Sequence, residues 1–355
     1  MRALVAMSGG VDSSVAAALM LDQGHEVIGA TLKQWEGADG SMPLHGCCTV
    51  ADADDAGKAA ATLGIRHYVL DYVDEFNRQV VDPFAAAYLA GRTPNPCIEC
   101  NRRVRFRALL DRASQLGCEV LVTGHHARIR RDAGGFRLLT ATDRAKDQSY
   151  VLHMLGQDDL ARIRFPVGEM TKAEVRAEAA RRGMGTAAKP DSQDLCFIAR
   201  DHTSFLRERF PAIAQPGPIV DSGGAEIGRH DGAVGFTVGQ RRGLHLSVGE
   251  PRYVLEVRPA TATVVVGTRR DLLADGVSVS QMSWVAGAPP AGDEVEVKVR
   301  YRSDPIPAGL VAAAAGAWEV WFDTPREGAA PGQSAVLYRG DEVLGGGTIE
   351  DNLRR

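Results

Sequence analysis

Three clusters of residues in this 355-residue chain could do chemistry. Ser8-Gly-Gly-Val-Asp-Ser-Ser14 stands between an apolar run and an Ala-rich one. Glycines let a backbone approach an anion closely. A helix starting there adds free N–H groups and the positive end of its dipole. Ser8, Ser13 and Ser14 contribute hydroxyl donors. The string lacks the Lys of the Walker loop and the spacing of the dinucleotide loop, so it predicts a different kind of phosphate cradle. A plain strand-to-helix turn capped by Ser or Asp is the alternative. The second cluster is Gly91-Arg-Thr-Pro-Asn-Pro-Cys-Ile-Glu-Cys-Asn-Arg-Arg-Val-Arg-Phe106. Two prolines stiffen a loop ahead of an Arg-bearing helix, and Cys100 falls close to the helix start. A helix N-terminus and nearby Arg both favour thiolate over thiol. The third cluster, Asp191-Ser-Gln-Asp-Leu-Cys-Phe-Ile198, sets Cys196 beside Asp194.

The elements that must position these residues alternate in the first half of the chain. Apolar runs at 2–7, 26–32, 67–72 and 118–123 predict strands. Helical patterns fall at 14–23, 49–63, 75–89 and 103–116. Such alternation implies βαβ units and an α/β doubly wound parallel sheet. Ligands of such a sheet sit beyond the carboxyl ends of its strands, so the loops after Met7, Leu32, Tyr72 and Thr123 are where chemistry is expected. Thr171 and Glu174 form a capping box for a helix stopped by Gly183. After residue 205, Pro and Gly become frequent. Short alternating runs at 252–258, 263–267, 294–301, 318–322 and 334–338 predict antiparallel strands of a small barrel or sandwich. The expected domains are 1–204, a small mixed domain at 205–274 and a C-terminal antiparallel β-barrel at 275–355. Cys118 and the pair Trp318 and Trp321 are expected to pack rather than react. The Gly-rich stretch 37–46 before Cys47-Cys48 reads as a surface loop, with a lid over the nucleotide as the alternative.

Composition limits the options. The chain is 45% hydrophobic and 24% charged, ordinary for a globular protein. No apolar run reaches the roughly 18 residues of a membrane helix. The opening MRALVAMSGG is too short an apolar stretch for a secretory signal, so the expected location is the cytoplasm, with no membrane association. A net charge of −4 argues against a protein that coats nucleic acid. Any nucleic-acid site must then be a local patch. Arginines cluster at 102–107, 128–131, 241–242 and 300–302, where solvated surface is the plainer reading. All six Cys precede residue 197, and a reducing cytosol disfavours structural disulfides.

Ser8 to Ser14 resembles the PP-loop of the N-type ATP pyrophosphatases, an adenine nucleotide alpha-hydrolase-like fold. That resemblance implies cleavage of ATP between the α and β phosphates, with Mg2+, and an adenylated substrate. The two cysteine segments resemble the tRNA-specific 2-thiouridylases (the MnmA family). Thr123-Gly-His-His-Ala-Arg128, Lys146-Asp-Gln-Ser-Tyr150, Gly235-Phe-Thr-Val-Gly-Gln-Arg-Arg-Gly-Leu244, Arg300-Tyr301-Arg302 and Pro331-Gly332-Gln333 extend the likeness along the chain. The resemblance implies ATP-dependent 2-thiolation of the wobble uridine of tRNA, by adenylation of uracil O2 and sulfur transfer from a cysteine persulfide.

Residue roles follow from the same resemblance. Ala6, Met7, Ser8, Gly9, Gly10, Val11, Asp12, Ser13, Leu32 and Gly124 would contact ATP. Cys196 would carry the persulfide, and Cys100 would release the sulfur and end in a Cys100–Cys196 disulfide. Asn95, Pro96 and Cys97 would face the target base. His125, Lys146, Asp147, Gln148, Arg300, Tyr301 and Gln333 would touch tRNA, with 1–204 as the ATP-binding catalytic domain and the barrel at 275–355 as the tRNA-binding domain. The implied partners are the anticodon region of tRNA and a cysteine desulfurase or sulfur carrier protein, and the expected state is a monomer. One position departs from the family. Asn-Pro-Cys stands where many members read Asn-Pro-Asp, so the candidate general base is missing at Cys97. The change creates three thiols, Cys97, Cys100 and Cys196, that could hold a [4Fe–4S] cluster with one open iron. A zinc site would want a fourth ligand. Two other functions stay open. One is a PP-loop C–N ligase, which needs no reactive cysteines. The other is a non-catalytic RNA-binding protein, which needs no phosphate loop.

Overall fold

A computed structural model describes residues 1–36, 49–191, 197–198, 202–210, 215–246, 248–290 and 292–355. Cys47, Cys48, Cys196 and the Gly-rich stretch 37–46 lie outside the described residues. The chain opens with β1 (Arg2–Ala6), β2 (Glu26–Lys33), β3 (Arg66–Asp71) and β4 (Val120–Thr123). A hairpin of β5 (Ala127–Asp132) and β6 (Gly135–Thr140) then leaves the sheet, and β7 (Ile163–Arg164) returns to it. The five strands lie in the order β3-β2-β1-β4-β7, all parallel. Successive residues of β1 face two separate cores. Leu4 packs with Phe76, Val104 and Leu121. Ala3 and Val5 pack with Val15, Ala59 and Val122. A strand buried on both faces needs a continuous apolar run, and RALVA supplies it.

Helix α1 (Val11–Asp22) follows β1, and α2 (Val50–Thr62) follows β2 behind a Thr49/Asp52 capping box. The expected helix at 171–183 forms as Lys172–Arg181, with the Thr171/Glu174 capping box in place. The expected helix at 103–116 begins earlier. Asn95 caps it, Pro96 occupies its first turn, and it widens to π-helix over Cys100–Ala108.

β8 (Gly217–Val220), β9 (Glu226–His230), β10 (Tyr253–Arg258) and β11 (Thr263–Gly267) form a second sheet in the order β10-β11-β8-β9. It is not wholly antiparallel, because β8 and β11 pair in parallel. The last six strands close on themselves. They are β12 (Leu273–Trp284), β13 (Glu294–Lys298), β14 (Ile306–Ala312), β15 (Trp318–Glu327), β16 (Ser334–Arg339) and β17 (Glu342–Leu353). The β12–β17 pairing completes an antiparallel six-stranded barrel, so that none of these six strands is left as an edge. The β5–β6 hairpin joins the outside of this barrel, with Leu138 and Leu139 opposite Val343 and Glu342. One core therefore runs from the parallel sheet into the barrel: Leu138, Tyr150, Val336, Tyr338 and Val343 share it with Leu4 and Phe106. Trp318 packs edge-on against Trp284, and Cys118 is buried. Among the described residues no helix is long and apolar enough to cross a membrane.

Two histidines are sealed in this core. His125 and His153 are each pushed down to about 3, chiefly by burial, with Arg105 and Arg102 respectively adding repulsion. Neither ring nitrogen of His153 hydrogen-bonds to another described residue. Below about pH 6.5 the unfolded chain binds protons at both rings that the folded chain refuses. Stability should therefore fall by about 1 kcal/mol per pH unit for each ring between pH 6 and 4. Urea titrations test this against His153→Leu, which should flatten the slope by one ring's share. An unchanged slope would contradict the burial assignment.

Candidate active site

The phosphate loop lies beyond the carboxyl end of β1, at the point where the strand order reverses. Gly9 has φ +71°, and a Cβ there would come within 2.1 Å of Asp52 O. Gly124, after β4, approaches so closely that its Cβ would meet Ser13 N at 2.5 Å. Only glycine fits either place. Ser8 N donates to Ser13 Oγ at 3.1 Å, and Ser13 and Ser14 hydroxyls donate to Gly10 O at 3.1 and 3.0 Å. The loop is thus bound to the first turn of α1, with Ser8 left exposed. Met7, Val11 and Leu32 are buried beside it.

A chain of charges borders the loop. Lys172 Nζ reaches Asp12 at 2.7 Å and Asp191 at 2.9 Å. His126 Nε2 is 3.1 Å from Asp12 Oδ1. Asp191 also meets Lys146 and Arg176, each at 2.9 Å. Burial alone would raise the Asp12 carboxyl, but hydrogen bonds from His126 and Lys172 outweigh it and hold the group below the ordinary carboxylate value. Asp191 is held down to about 2, as hydrogen bonds from Lys146 and Lys172 overcome its burial. Lys172, Asp191 and Arg176 were not among the expected site residues. The available signal was Lys172's place as the first residue of a capped helix that must pack beside α1.

The loop carrying the thiols is held from outside the parallel sheet. Thr93 N donates to Pro331 O at 2.7 Å, and Gln333 Nε2 donates to Thr93 O at 2.7 Å. Arg92 pairs with Glu350 at 2.8 Å. Asn95 Oδ1 then accepts from Cys97 N at 3.1 Å, starting the helix. Cys97 is exposed and Cys100 is buried. Gln34, just past β2 and 1% exposed, donates through Nε2 to Cys100 Sγ at 3.3 Å. Phe197, which follows Cys196 in the chain, is 4% exposed among Trp35, Phe76, Phe84 and Phe205. It shares a core with Cys100.

The residues expected at tRNA are placed differently from one another. Tyr301 is 38% exposed, with its hydroxyl 3.5 Å from Asp147 O and its ring 5.7 Å from that of Tyr150. Arg300 is exposed and donates to Gly328 O. Lys146 is engaged with Asp191. The Asp147 carboxylate accepts from Ala141 N and from Ser149, and Gln148 Oε1 accepts from His126 N. These two side chains fasten their own turn. His125 lies in the interior, bonded to Thr123 Oγ1 at 2.7 Å and packed between Phe106 and Phe165. Among the described residues, no three His, Cys, Asp or Glu side chains are placed to hold a metal ion. A Mg2+ ion carried on nucleotide phosphates needs only one or two carboxylates, and Asp12, within the loop, is placed to supply one.

Residues 1–200 match the family model described as "tRNA methyl transferase HUP domain". Residues 203–268 match "tRNA methyl transferase PRC-barrel domain", and 274–349 match "Aminomethyltransferase beta-barrel domain". Proteins named tRNA-specific 2-thiouridylase MnmA are similar along their whole length. The one from Acidothermus cellulolyticus is 50% identical, covering 100% of this chain and 99% of its own. The one from Chloroflexus aggregans is 49% identical, over 98% and 97%. The one from Roseiflexus sp. is 46% identical, over 98% and 99%. Matched from end to end at this level of identity, the chain belongs to the MnmA family of tRNA-specific 2-thiouridylases.

Proposed function

We propose that this chain catalyses ATP-dependent 2-thiolation of the wobble uridine of tRNA. One observation carries the reading. The phosphate loop after β1 and the Gln34–Cys100 contact after β2 lie at the same edge of one sheet. Uracil O2 attacks the α-phosphorus of ATP, the bond to pyrophosphate breaks, and the oxygen becomes part of an AMP leaving group. The terminal sulfur of a Cys196 persulfide attacks C2 and AMP departs. The Cys100 thiolate then attacks the Cys196 sulfur, leaving a thiocarbonyl on the base and a Cys100–Cys196 disulfide. An external thiol reductant restores both thiols.

Residues 6–13, Leu32 and Gly124 hold ATP, and Mg2+ arrives with it. Ser8 and the free N–H groups of α1 face the leaving pyrophosphate. Lys172 offsets charge building on the α-phosphate. Asn95, Pro96 and Cys97 face the base, while Lys146, Arg300, Tyr301 and Gln333 lie on the tRNA side. Sulfur comes from a cysteine desulfurase or sulfur carrier protein, and the enzyme works in the cytoplasm as a monomer. The Cys97-x-x-Cys100 spacing supports a second version. The two thiols stand one helical turn apart, and with Cys196 they could hold a [4Fe–4S] cluster. That group would supply a sulfide-binding iron in place of the persulfide.

Alanine at Cys100 or serine at Cys196 should abolish 2-thiouridine while tRNA-dependent pyrophosphate release continues. Retained thiolation would refute the roles given to these thiols. Lys172→Met should slow pyrophosphate release by roughly 10²–10³-fold, and a normal rate would remove Lys172 from the reaction. Anaerobically purified protein should be assayed for iron and acid-labile sulfide. Full activity without iron supports the persulfide route, and activity that tracks about four irons per chain replaces it with the cluster.

A further inference from the structure

The run that leaves β2 touches both thiol-bearing segments, and one of its side chains has no part in the chemistry above. Leu32 is buried beside the phosphate loop. Lys33 is tied to Glu36 at 2.6 Å and to Asp71 at 3.6 Å, and its carbonyl accepts from Tyr72 N at 2.8 Å. Trp35 packs on Phe197 and Phe205, with ring centroids 6.2 and 5.8 Å apart, and Phe197 follows Cys196 in the chain. Between Lys33 and Trp35, Gln34 is 1% exposed, and its Nε2 donates to Cys100 Sγ at 3.3 Å. Cys100 itself belongs to an apolar core with Leu32, Phe76, Ile98 and Val104. Burying a carboxamide costs free energy unless it is hydrogen-bonded. A Leu or Met would fill such a place at lower cost, so the amide is best explained by what it does to the sulfur.

Apolar surroundings disfavour charge on a sulfur. An N–H donor at the sulfur opposes that, because hydrogen bonds to a charged group are the stronger kind. We propose that Gln34 is a positioning residue for Cys100. Its amide holds Sγ in place and stabilises the negative charge on it during the attack on the Cys196 sulfur. The amide neither gives nor takes a proton. It steadies the electron pair that forms the new S–S bond, while the bond between the Cys196 sulfur and the transferred sulfur breaks. Because the same run carries Leu32 and Trp35, this contact sets Cys100 relative to the nucleotide side and to the segment that holds Phe197. The inference rests on the thiolation reading given above.

The test uses the full-length enzyme with Gln34→Met, which keeps the length and burial of the side chain but removes the donor. A second variant, Gln34→Asn, keeps the amide on a shorter stem. Labelling by iodoacetamide is followed on the tryptic peptide 93–102, where fragment masses separate Cys100 from Cys97. Cys97 serves as the internal reference, since Gln34 does not hydrogen-bond to it. In Gln34→Met, Cys100 labelling should slow about tenfold relative to Cys97, with a smaller loss in Gln34→Asn. The rate of 2-thiouridine formation should fall about as far. The KM for ATP and tRNA-dependent pyrophosphate release should stay within about twofold of the parent, which also reports an intact fold. Parent-like labelling of Cys100 in both variants would overturn the proposal. So would a loss of pyrophosphate release as large as the loss of thiolation, which would give Gln34 to the nucleotide. Failure of the thiolation reading itself would appear separately, as absent 2-thiouridine in a parent enzyme whose Cys100 still labels faster than that of Gln34→Met.

Discussion

Ser13 N and Gly124 lie so close that any side chain at 124 would strike the backbone of α1. This contact sets the distance between the loop after β1 and the loop after β4, on either side of the switch point of the sheet. The same loop is fixed on its other side where Gly9 meets Asp52 O, at the start of α2. Three elements therefore share one small volume, and it is filled by backbone. Backbone N–H groups there can point at an anion without interference. The charged residues come in a second layer. Lys172 and His126 meet Asp12, and Lys172 continues to Asp191 and through it to Lys146. An arriving triphosphate would enter an existing chain of paired charges and exchange partners within it.

The thiol helix depends on the rest of the molecule in a different way. Its leading loop bonds to Pro331 and Gln333 of the barrel, not to the sheet it serves. The β5–β6 hairpin reinforces the arrangement by adding a strand pairing between the two halves. The barrel is thus part of the device that aims Cys97 and Cys100. Opening the interface would move the thiols relative to the phosphate loop.

Much of this was legible in the residues. SGGVDSS between a strand and a helix could only be a cradle or a capped turn, and the capping box at Thr171 was plain. The β5–β6 hairpin was not recognised. ARIRRD and GFRLLT alternate weakly and carry five arginines and aspartates among twelve residues, and Leu138 finds its partners only on the distant barrel. β7 is two residues long, too short to show a period. The parallel β8–β11 pair was missed because pairing direction is a property of the connection, not of the strand. His125 was placed at tRNA by motif, whereas its Thr123 bond and two aromatic neighbours put it in the core. The ion network could not be read either, since Asp12, Lys172 and Asp191 are far apart in the chain.

The central claim is that the uracil oxygen leaves on AMP. It can be followed directly with tRNA whose wobble uridine carries oxygen-18 at C2. After turnover with ATP and a sulfur donor, mass spectrometry of the nucleotide product should find the heavy oxygen in AMP, in step with the 2-thiouridine formed. Unlabelled AMP alongside thiolated tRNA would mean that O2 is never adenylated, and the account would be wrong.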